Sequence, residues 1–218
     1  MINLQVIPIF LLALSSNLDN VGVGTSYGVR RMNIPFSSNL LIALVTTTGT
    51  YLSMTAGSEI GNLISPGISN ALGALMIGGT GAWILFRELS RRDEGEVNGS
   101  PQQIQEATLS NQSIFRKMLT ILDNPILADT DFSGHIDFKE GFFLALALTL
   151  NNLSNGVGAG LLGLDVALMV AFTAILSILT IWFGIAFGQY SSVHLLGKFA
   201  GHISGLILIA LGIYEYFS

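Results

Sequence analysis

The chain of 218 residues contains no cysteine, which excludes disulfide bonds, metal sites built from thiolates and thiol redox chemistry. Charged residues are also scarce, at 11% of the sequence, against about a quarter in soluble domains. Most of them fall in one central block, so the stretches on either side are almost free of charge. Half of the residues are hydrophobic, and the mean hydropathy is +0.63. This composition predicts a membrane protein.

Several stretches are long and apolar enough to cross a bilayer, for which a helix needs about 20 mostly apolar residues. The first of them is not expected to be a cleavable signal peptide, because it lacks a basic leading segment and a small-residue cleavage site. We therefore predict an all-α membrane protein with six transmembrane helices. The six predicted spans lie at approximately 4–27, 36–57, 68–87, 140–162, 164–188 and 195–217.

Lysine and arginine occur in three parts of the chain: after the first predicted span, between the third and fourth, and before the sixth. They are Arg30, Arg31, Arg87, Arg91, Arg92, Arg116, Lys117, Lys139 and Lys198. Helices that alternate in direction place all three parts on one side of the membrane, and the positive-inside rule makes that side cytoplasmic. We expect a multi-pass protein of the plasma (inner) membrane, with both termini outside and residues 89–139 in the cytoplasm.

The two halves of the sequence resemble each other. A shift of 132 residues aligns LDNVGVGTSYG at 18–28 with LNNLSNGVGAG at 150–160, and a shift of 131 aligns Gly57 with Gly188. Three helices per repeat invert the second repeat relative to the first, which is the plan of many secondary transporters. We therefore predict a 3+3 inverted repeat. Its parts are a first three-helix repeat at 1–88, a polar cytoplasmic linker at 89–127, an EF-hand-like metal-binding loop at 128–141 and a second three-helix repeat at 140–218.

Two of the predicted spans carry polar clusters deep within apolar sequence, SSNLDN at 15–20 and TLNNLSN at 149–155. At about 100° per residue, Ser16, Asp19 and Asn20 share one face of the first helix. A carboxylate at the centre of a bilayer costs at least about 2.5–3.5 kcal/mol, so its presence indicates a function. Hydrogen bonds that pack helices together account for the asparagines but poorly for a carboxylate.

These clusters predict a transport site lined by oxygen ligands. Its predicted residues are Asp19, Asn20, Asn151, Asn152 and Asn155. Carboxylate and amide oxygens suit hard cations such as Mg²⁺, Ca²⁺ or Mn²⁺ better than zinc or copper. Interhelical packing stays open as the alternative for each asparagine.

The stretch ADTDFSGHIDFKEG, residues 128–141, leads into the fourth predicted span and follows the order of an EF-hand loop. That order has side-chain oxygens at positions 1, 3 and 5, glycine at 6, a backbone carbonyl ligand at 7 and a bidentate glutamate at 12. The predicted metal ligands are Asp129, Asp131, Ser133, His135 through its carbonyl, Asp137 and Glu140. We expect a divalent cation, Ca²⁺ or Mn²⁺, to bind there on the cytoplasmic side. The alternative is an acidic turn that caps the following helix.

The stretches LDNVGVGTSYGVRRMNIP (18–35), ADTDFSGHIDFKEG and ALTLNNLSNGVGAGLLG (147–163) resemble the YtaF-type sporulation membrane proteins. Those proteins belong with the MntP-type manganese efflux pumps in the LysE-like transporter superfamily. The resemblance implies export of Mn²⁺ and an aspartate in each of the first and fourth helices. The first aspartate corresponds to Asp19, whereas Asn151 stands at the position of the second.

We expect a secondary transporter that exports a divalent metal cation by alternating access, with Mn²⁺ first by resemblance and Ca²⁺ second by the loop. The alternative is a membrane protein that transports nothing, in which the loop senses calcium and the polar clusters only pack helices. No nucleophile–base pair stands out, so no enzymatic activity is expected. The expected partners are the metal ion and the lipid bilayer, without nucleic acid, and the spacing of Gly24 and Gly28 permits a homodimer.

Overall fold

The computed structural model describes residues 6–90, 114–190 and 195–217. Seven α-helices form in this part of the chain: α1 (Val6–Val29), α2 (Phe36–Leu63), α3 (Pro66–Ser90), α4 (Ile114–Asp123), α5 (Phe138–Leu161), α6 (Val166–Tyr190) and α7 (Leu195–Phe217). A 3-10 helix, Pro125–Ala128, follows α4. Most of the predicted linker, residues 91–113, lies outside the described residues, as does the side chain of Asn151.

Five of these helices are long and apolar enough to cross a membrane: Val6–Val29, Phe36–Leu63, Pro66–Leu89, Val166–Tyr190 and Phe199–Phe217. The prediction of an all-α membrane protein with several spans is confirmed. The helix α5 has 24 residues, a length of about 36 Å, but it is not among the five. Its central TLNNLSN stretch lowers its hydropathy, so a sixth span stays a prediction.

Local sequence explains where several helices begin and end. Pro66 is the first residue of α3, where its missing N–H group costs nothing. The short helix α4 ends just before Pro125, a residue that cannot continue a helix. Asp137 caps α5, and Gly163 follows α5 with a left-handed φ of 66°, a conformation that favours glycine.

The long helices pack mainly across the two halves of the chain. The helix α1 packs against α6 and α7, α2 against α5 and α6, and α3 against α7 and α5. Within the first half, α2 and α3 touch only where they follow each other in the chain. The short α4 lies against α5. The two halves are therefore interleaved rather than set side by side.

Two buried apolar clusters lie at different heights in the bundle. The Tyr27 cluster includes Val23, Tyr27, Ile136, Leu144 and Leu148. The Met54 cluster includes Ile9, Leu12, Met54, Ala159 and Leu208. Along both α1 and α5, the polar stretches 15–20 and 149–155 fall between the residues of one cluster and those of the other. The polar residues thus form a layer with apolar packing at both ends.

Glycines allow the interleaved helices to approach closely. A Cβ atom at Gly28 would lie 2.9 Å from the Cα atom of Gly188, and one at Gly24 would lie 3.0 Å from the Cα atom of Gly184. These two glycines of α1 therefore face α6 of the same chain. Because α6 of the same chain covers the face of α1 that carries Gly24 and Gly28, that face is not available to a second copy of the chain. The spacing of the two glycines therefore does not support a homodimer.

Candidate functional site

The fold brings the polar stretches of α1 and α5 into one buried layer. Asn20, Asn152 and Asn155, three of the residues predicted for a transport site, are all buried in it. Asp19 lies on α1 at the margin of the layer with its side chain half-buried, and its carboxylate accepts a hydrogen bond of 2.9 Å from the backbone N–H of Asn20. Asn151 lies in the same turn of α5, with its side chain outside the described residues.

Side-chain hydrogen bonds connect the layer within α1 and across to α5. The amide of Asn155 donates to Ser16 Oγ at 2.9 Å, which joins the two helices. The amide of Asn20 donates to Asn17 Oδ1 at 3.1 Å, and the amide of Asn17 donates to the carbonyl of Ala13 at 2.7 Å. These bonds use the N–H groups of the amides as donors.

Two carbonyl oxygens in the layer have no hydrogen-bond partner among the described residues. They are Oδ1 of Asn152 and Oδ1 of Asn155, on side chains that are 4% and 1% exposed. Leaving a buried acceptor unsatisfied costs roughly 1–3 kcal/mol. At Asn155 the amide N–H is bonded while the carbonyl oxygen is left over, and a leftover acceptor is suited to a cation, which needs acceptors only.

A second row of polar groups lines the contact between α2 and α6. Thr46 Oγ1 and Ser177 Oγ lie 3.3 Å apart across this contact. Thr46, Thr50 and Thr180 donate their hydroxyl protons to carbonyls of their own helices, as threonine commonly does inside a helix. Thr173 is fully buried, and its hydroxyl has no partner in the part of the chain that the structure describes.

The loop before α5 gathers three carboxylates. One oxygen from each of Asp129, Asp131 and Glu140 lies within 4.8 Å of the others, close enough to hold one metal ion. Asp129 and Glu140 are buried, and Asp131 is exposed. Backbone N–H groups stabilise the cluster, since Ser133 donates to Asp129 at 3.1 Å and to Asp131 at 3.0 Å.

The two loop aspartates have pKa values shifted in opposite directions. Burial raises the pKa of Asp129, against the lowering effect of the backbone N–H of Gly134. Hydrogen bonds from the side chain and backbone of Ser133 lower the pKa of Asp131. As the pH falls, Asp129 therefore takes up a proton before Asp131 does.

The remaining predicted loop ligands are arranged as a helix cap and a turn. Asp137 accepts a hydrogen bond of 2.7 Å from the backbone of Glu140, and Glu140 Oε2 accepts one of 3.2 Å from the backbone of Asp137. This reciprocal pair is a capping box at the start of α5. Ser133 Oγ donates to the carbonyl of His135 at 3.0 Å. The loop thus caps α5, as the alternative interpretation predicted, while metal binding stays a prediction.

The loop is anchored to the connection between α1 and α2. Asn33 donates its backbone N–H to Gly134 at 2.9 Å and accepts from the backbone N–H of Ile136 at 3.0 Å. Ser38 Oγ donates to the carbonyl of Ile136 at 2.9 Å, and the Ile136 side chain is fully buried. The backbone of Asn33 also forms an isolated parallel β-bridge with His135, so the loop is paired with the α1–α2 connection.

Comparison with known proteins adds two matches. The chain is 32% identical to the "Probable sporulation protein YtaF" of Bacillus subtilis (strain 168) over 214 residues, which cover 97% of this chain and 100% of that protein. A protein-family model described as "Putative manganese efflux pump" matches residues 123–214, which include the loop, α5, α6 and most of α7. No solved structure matches the chain.

Proposed function

This chain belongs to the family of YtaF-type sporulation proteins and MntP-type manganese efflux pumps, and we propose that it exports a divalent metal cation by alternating access. Manganese is the first candidate ion, because the matching family is described as a manganese efflux pump. Calcium is the second, because the loop at 128–141 follows the order of an EF-hand. That description is of a transporter, so we propose no enzymatic activity.

The observation that carries this proposal is the pair of oxygens on Asn152 and Asn155 that have no hydrogen-bond partner in the part of the chain that the structure describes. They lie in a buried layer between two apolar clusters, as an occluded ion site requires. Asp19 would supply the negative charge, and Asn20 and Asn151 would complete the ligand set with Asn152 and Asn155. With one carboxylate in place of the two that the resemblance implies, neutral amide oxygens carry more of the coordination.

Alternating access is supported by the way in which the halves pack. The proposed repeats, 1–88 and 140–218, pair α1 with α5, α2 with α6 and α3 with α7. If the two members of each pair are exchanged, the contact between α1 and α6 becomes the contact between α5 and α2. In the same way, the contact between α1 and α7 becomes the contact between α5 and α3. The structure contains all four of these contacts. The set of helix contacts between the two halves is therefore the same before and after the exchange.

The same exchange holds for individual residues. A Cβ atom at Gly28 would overlap the carbonyl oxygen of Ile185, and one at Gly160 would overlap that of Met54. Shifts of 132 and 131 residues convert the first pair into the second. This agreement supports a 3+3 inverted repeat. In that arrangement α5, the fourth predicted span in chain order, also crosses the membrane and brings the number of spans to six. We further propose the plasma membrane as the location, with both termini outside and residues 89–139 cytoplasmic, on the basis of the lysine and arginine distribution.

We propose that the loop binds Ca²⁺ or Mn²⁺ on the cytoplasmic side, through Asp129, Asp131, Ser133, the His135 carbonyl, Asp137 and Glu140. Its position supports a regulatory role, because it joins α5 directly and contacts the α1–α2 connection through Asn33. Both α1 and α5 carry residues of the proposed transport site. Metal in the loop would thereby bias the arrangement of the two helices that hold the transported ion.

Two substitutions at Asn33 test this coupling. Asn33→Pro removes the backbone N–H that bonds Gly134, whereas Asn33→Ala keeps it. We expect Asn33→Pro, like the pair Asp131→Asn and Glu140→Gln, to remove the dependence of flux on metal at the loop. Asn33→Ala should retain it. The hypothesis of coupling through the loop is wrong if flux keeps its metal dependence both in Asn33→Pro and in the protein that carries Asp131→Asn with Glu140→Gln.

The transport proposal is tested by ion flux into inside-out proteoliposomes, comparing Mn²⁺, Ca²⁺ and Mg²⁺. We expect saturable flux of one of these ions with the native protein and none with Asp19→Asn. Asp165→Asn is the matched control, because Asp165 is an exposed carboxylate that caps α6 by accepting from Leu168 at 2.8 Å, a role that asparagine can fill.

The second candidate is a membrane protein that transports nothing, in which the loop senses calcium and the polar clusters only pack helices. The hydrogen bond from Asn155 to Ser16, which joins α5 to α1, favours it. In that case none of the three ions would cross with the native protein, and Asp19→Asn would leave the folded protein unchanged.

A further inference from the structure

A cavity of about 730 Å³ opens between α3, α4 and α5, on the side of α5 that faces α3. Its apolar walls include Leu75 and Trp83 of α3, Leu119 of α4 and Leu150 of α5. The side chains of Leu75 and Trp83 are 71% and 64% exposed, so the cavity is open along its side. In a membrane-spanning bundle, an opening of this kind faces lipid rather than water.

The polar side chains within the cavity wall are not a ligand site of their own. Thr80 Oγ1 lies 2.8 Å from Ser154 Oγ and the same distance from the carbonyl of Met76. These bonds satisfy the hydroxyls without water. The wall between its two ends is therefore compatible with a hydrocarbon chain.

The cavity has a charged end and an apolar end. Arg87, in the last turn of α3, lines it, and Leu75 lines it twelve residues earlier. Twelve helical residues span about 18 Å, somewhat more than half of the roughly 30 Å hydrocarbon thickness of a bilayer. Trp83 lies one turn from Arg87, and tryptophan is enriched near the membrane interface. The cavity therefore has the length of one leaflet, with its cationic group at the interface.

We propose that this cavity binds an anionic phospholipid from the leaflet that borders Arg87. The phosphate lies near the Arg87 guanidinium, and one acyl chain runs along Trp83 and Leu150 toward Leu75. Charge complementarity favours an anionic lipid over a zwitterionic one, since basic pockets between transmembrane helices select anionic headgroups. The cation at its mouth also argues against this cavity as the entrance for a metal ion. The proposal does not depend on transport.

The two tryptophans of the chain, Trp83 and Trp182, make a direct test possible. In full-length protein carrying Trp182→Phe, the fluorescence of Trp83 is measured in bilayers that contain chain-brominated phosphatidylglycerol or chain-brominated phosphatidylcholine. Bromine quenches tryptophan on contact, so quenching reports which lipid occupies the cavity. We expect a relative association constant of about five in favour of phosphatidylglycerol, the effect of one basic side chain, and a value near one in Arg87→Gln.

Two further variants separate the cavity from its surroundings. Arg116→Gln removes an exposed charge of α4 that does not line the cavity, and it should keep the preference. Gly79→Leu fills the cavity, since a Cβ atom at Gly79 meets nothing within 4 Å, and it should abolish the preference even if Arg87→Gln fails to fold.

A parallel measurement on Trp83→Phe, with Trp182 kept, supplies the reference for the lipid-facing surface of α6, where both lipids should quench alike. Equal quenching of Trp83 by the two lipids overturns the proposal. So does a preference that survives Arg87→Gln or Gly79→Leu, or one that Arg116→Gln removes to the same extent.

Discussion

Asn152 combines two properties that a purely structural residue would not need together. It is buried in the packed layer between α1 and α5, and its side-chain oxygen has no hydrogen-bond partner among the described residues. An asparagine that only joined helices would use its oxygen as well as its amide, because an unsatisfied acceptor weakens the fold. The arrangement is explained if the side-chain oxygen of Asn152 is a ligand of an ion. The folded protein is then less stable when the ion is absent.

Replacing Asn152 with leucine separates these two roles. Without metal, we expect the protein to become more stable by about 1 kcal/mol, because the unsatisfied oxygen is gone. Binding of Mn²⁺ should weaken by roughly 10- to 100-fold, the effect of losing one charge–dipole contact of about 1.5–3 kcal/mol. Thermal unfolding in detergent, with and without Mn²⁺, measures both effects.

The control for this substitution is Ser154→Ala, on the same helix but facing the cavity beside α3. It should leave the stabilisation by Mn²⁺ unchanged. If Asn152→Leu instead lowers the unfolding temperature and leaves the Mn²⁺ effect intact, the residue only packs helices.

The loop aspartates make a second residue-scale prediction, on pH. Burial raises the pKa of Asp129, so the folded state holds this proton more tightly than the unfolded chain does. Protonation of Asp129 therefore stabilises the metal-free fold. This stabilisation is complete at pH values below the pKa of Asp129 in the unfolded chain, and it is lost as the pH rises through the pKa of Asp129 in the folded protein. A divalent cation competes with the same proton. We expect loop affinity for Ca²⁺ or Mn²⁺ to fall with decreasing pH, starting above the usual aspartate pKa of about 3.9.

Calorimetric titration of the full-length protein at a series of pH values measures this dependence. Asp129→Asn should weaken metal binding at every pH. It should also remove the loss of affinity that begins above the usual aspartate pKa. Asp165→Asn should behave as the native protein does. An affinity that holds constant down to the ordinary range of aspartate would contradict the role given to Asp129.

Sequence spacing located most of the polar layer but not all of it. Asn20, Asn152 and Asn155 were predicted because intramembrane amides at equivalent places in two repeats are costly and rarely filler. Asn17 was not singled out, although it is three residues from Asn20 and lies within about 60° of it around α1. It is nevertheless fully buried, because α6 and α7 both pack against α1. Burial from several sides depends on tertiary packing, which a single helix does not display in its sequence.

At the scale of helices, close crossings through glycine hold the interleaved halves together. Gly28 on α1 and Gly160 on α5 each face a backbone carbonyl of the opposite half, and a methyl group at either position would overlap it. Backbone atoms cannot move aside as side chains can, so the helices themselves would have to separate.

We expect Gly28→Ala and Gly160→Ala to destabilise the protein by similar amounts, roughly 1–3 kcal/mol each, although alanine is the better helix former. The matched control is Gly79→Ala, where the added methyl group meets nothing within 4 Å and stability should be kept or raised. Unfolding in mixed detergent micelles measures all three. Unequal effects at Gly28 and Gly160 would count against the equivalence of the two crossings.

The long helices were the part of this fold that hydropathy and periodicity predicted well. The anchoring of the loop was not predicted, because Asn33 bonds Gly134 and Ile136 through backbone atoms and no side-chain pattern marks such a bond. The cavity beside α3 was also not predicted from the sequence. Its walls come from three helices, and their order in space does not follow from the sequence of any one of them.

For the whole molecule, the repeat was predicted from shifts of 131 and 132 residues, but the interleaving of the halves was not. Which helix packs on which depends on glycines present on both facing surfaces. Gly184 on α6 has no glycine at the corresponding position of α2, where Ser53 stands, so the repeat alignment did not draw attention to it. Interleaving has a mechanical consequence, since any motion of one half against the other must change contacts at α1–α6, α2–α5 and α3–α7.

A covalent link between the halves should therefore stop transport, and the absence of native cysteine allows a clean test. Ser15 of α1 and Ser204 of α7 exchange hydrogen bonds of 2.8 Å, and their Oγ atoms lie 3.3 Å apart. We expect Ser15→Cys and Ser204→Cys each to carry Mn²⁺ in proteoliposomes. The oxidised double variant should carry none, and a reducing agent should restore its flux.

The control is a link inside the first half, Gly61→Cys with Ser69→Cys, where a Cβ atom at Gly61 would lie 2.9 Å from Ser69 Oγ. Because α2 and α3 move together when each half moves as a rigid body, this disulfide should leave transport intact. Undiminished flux through the oxidised Ser15→Cys, Ser204→Cys protein would mean that α1 and α7 keep their contact throughout the cycle. Alternating access would then have to arise from motion within each half rather than between the halves.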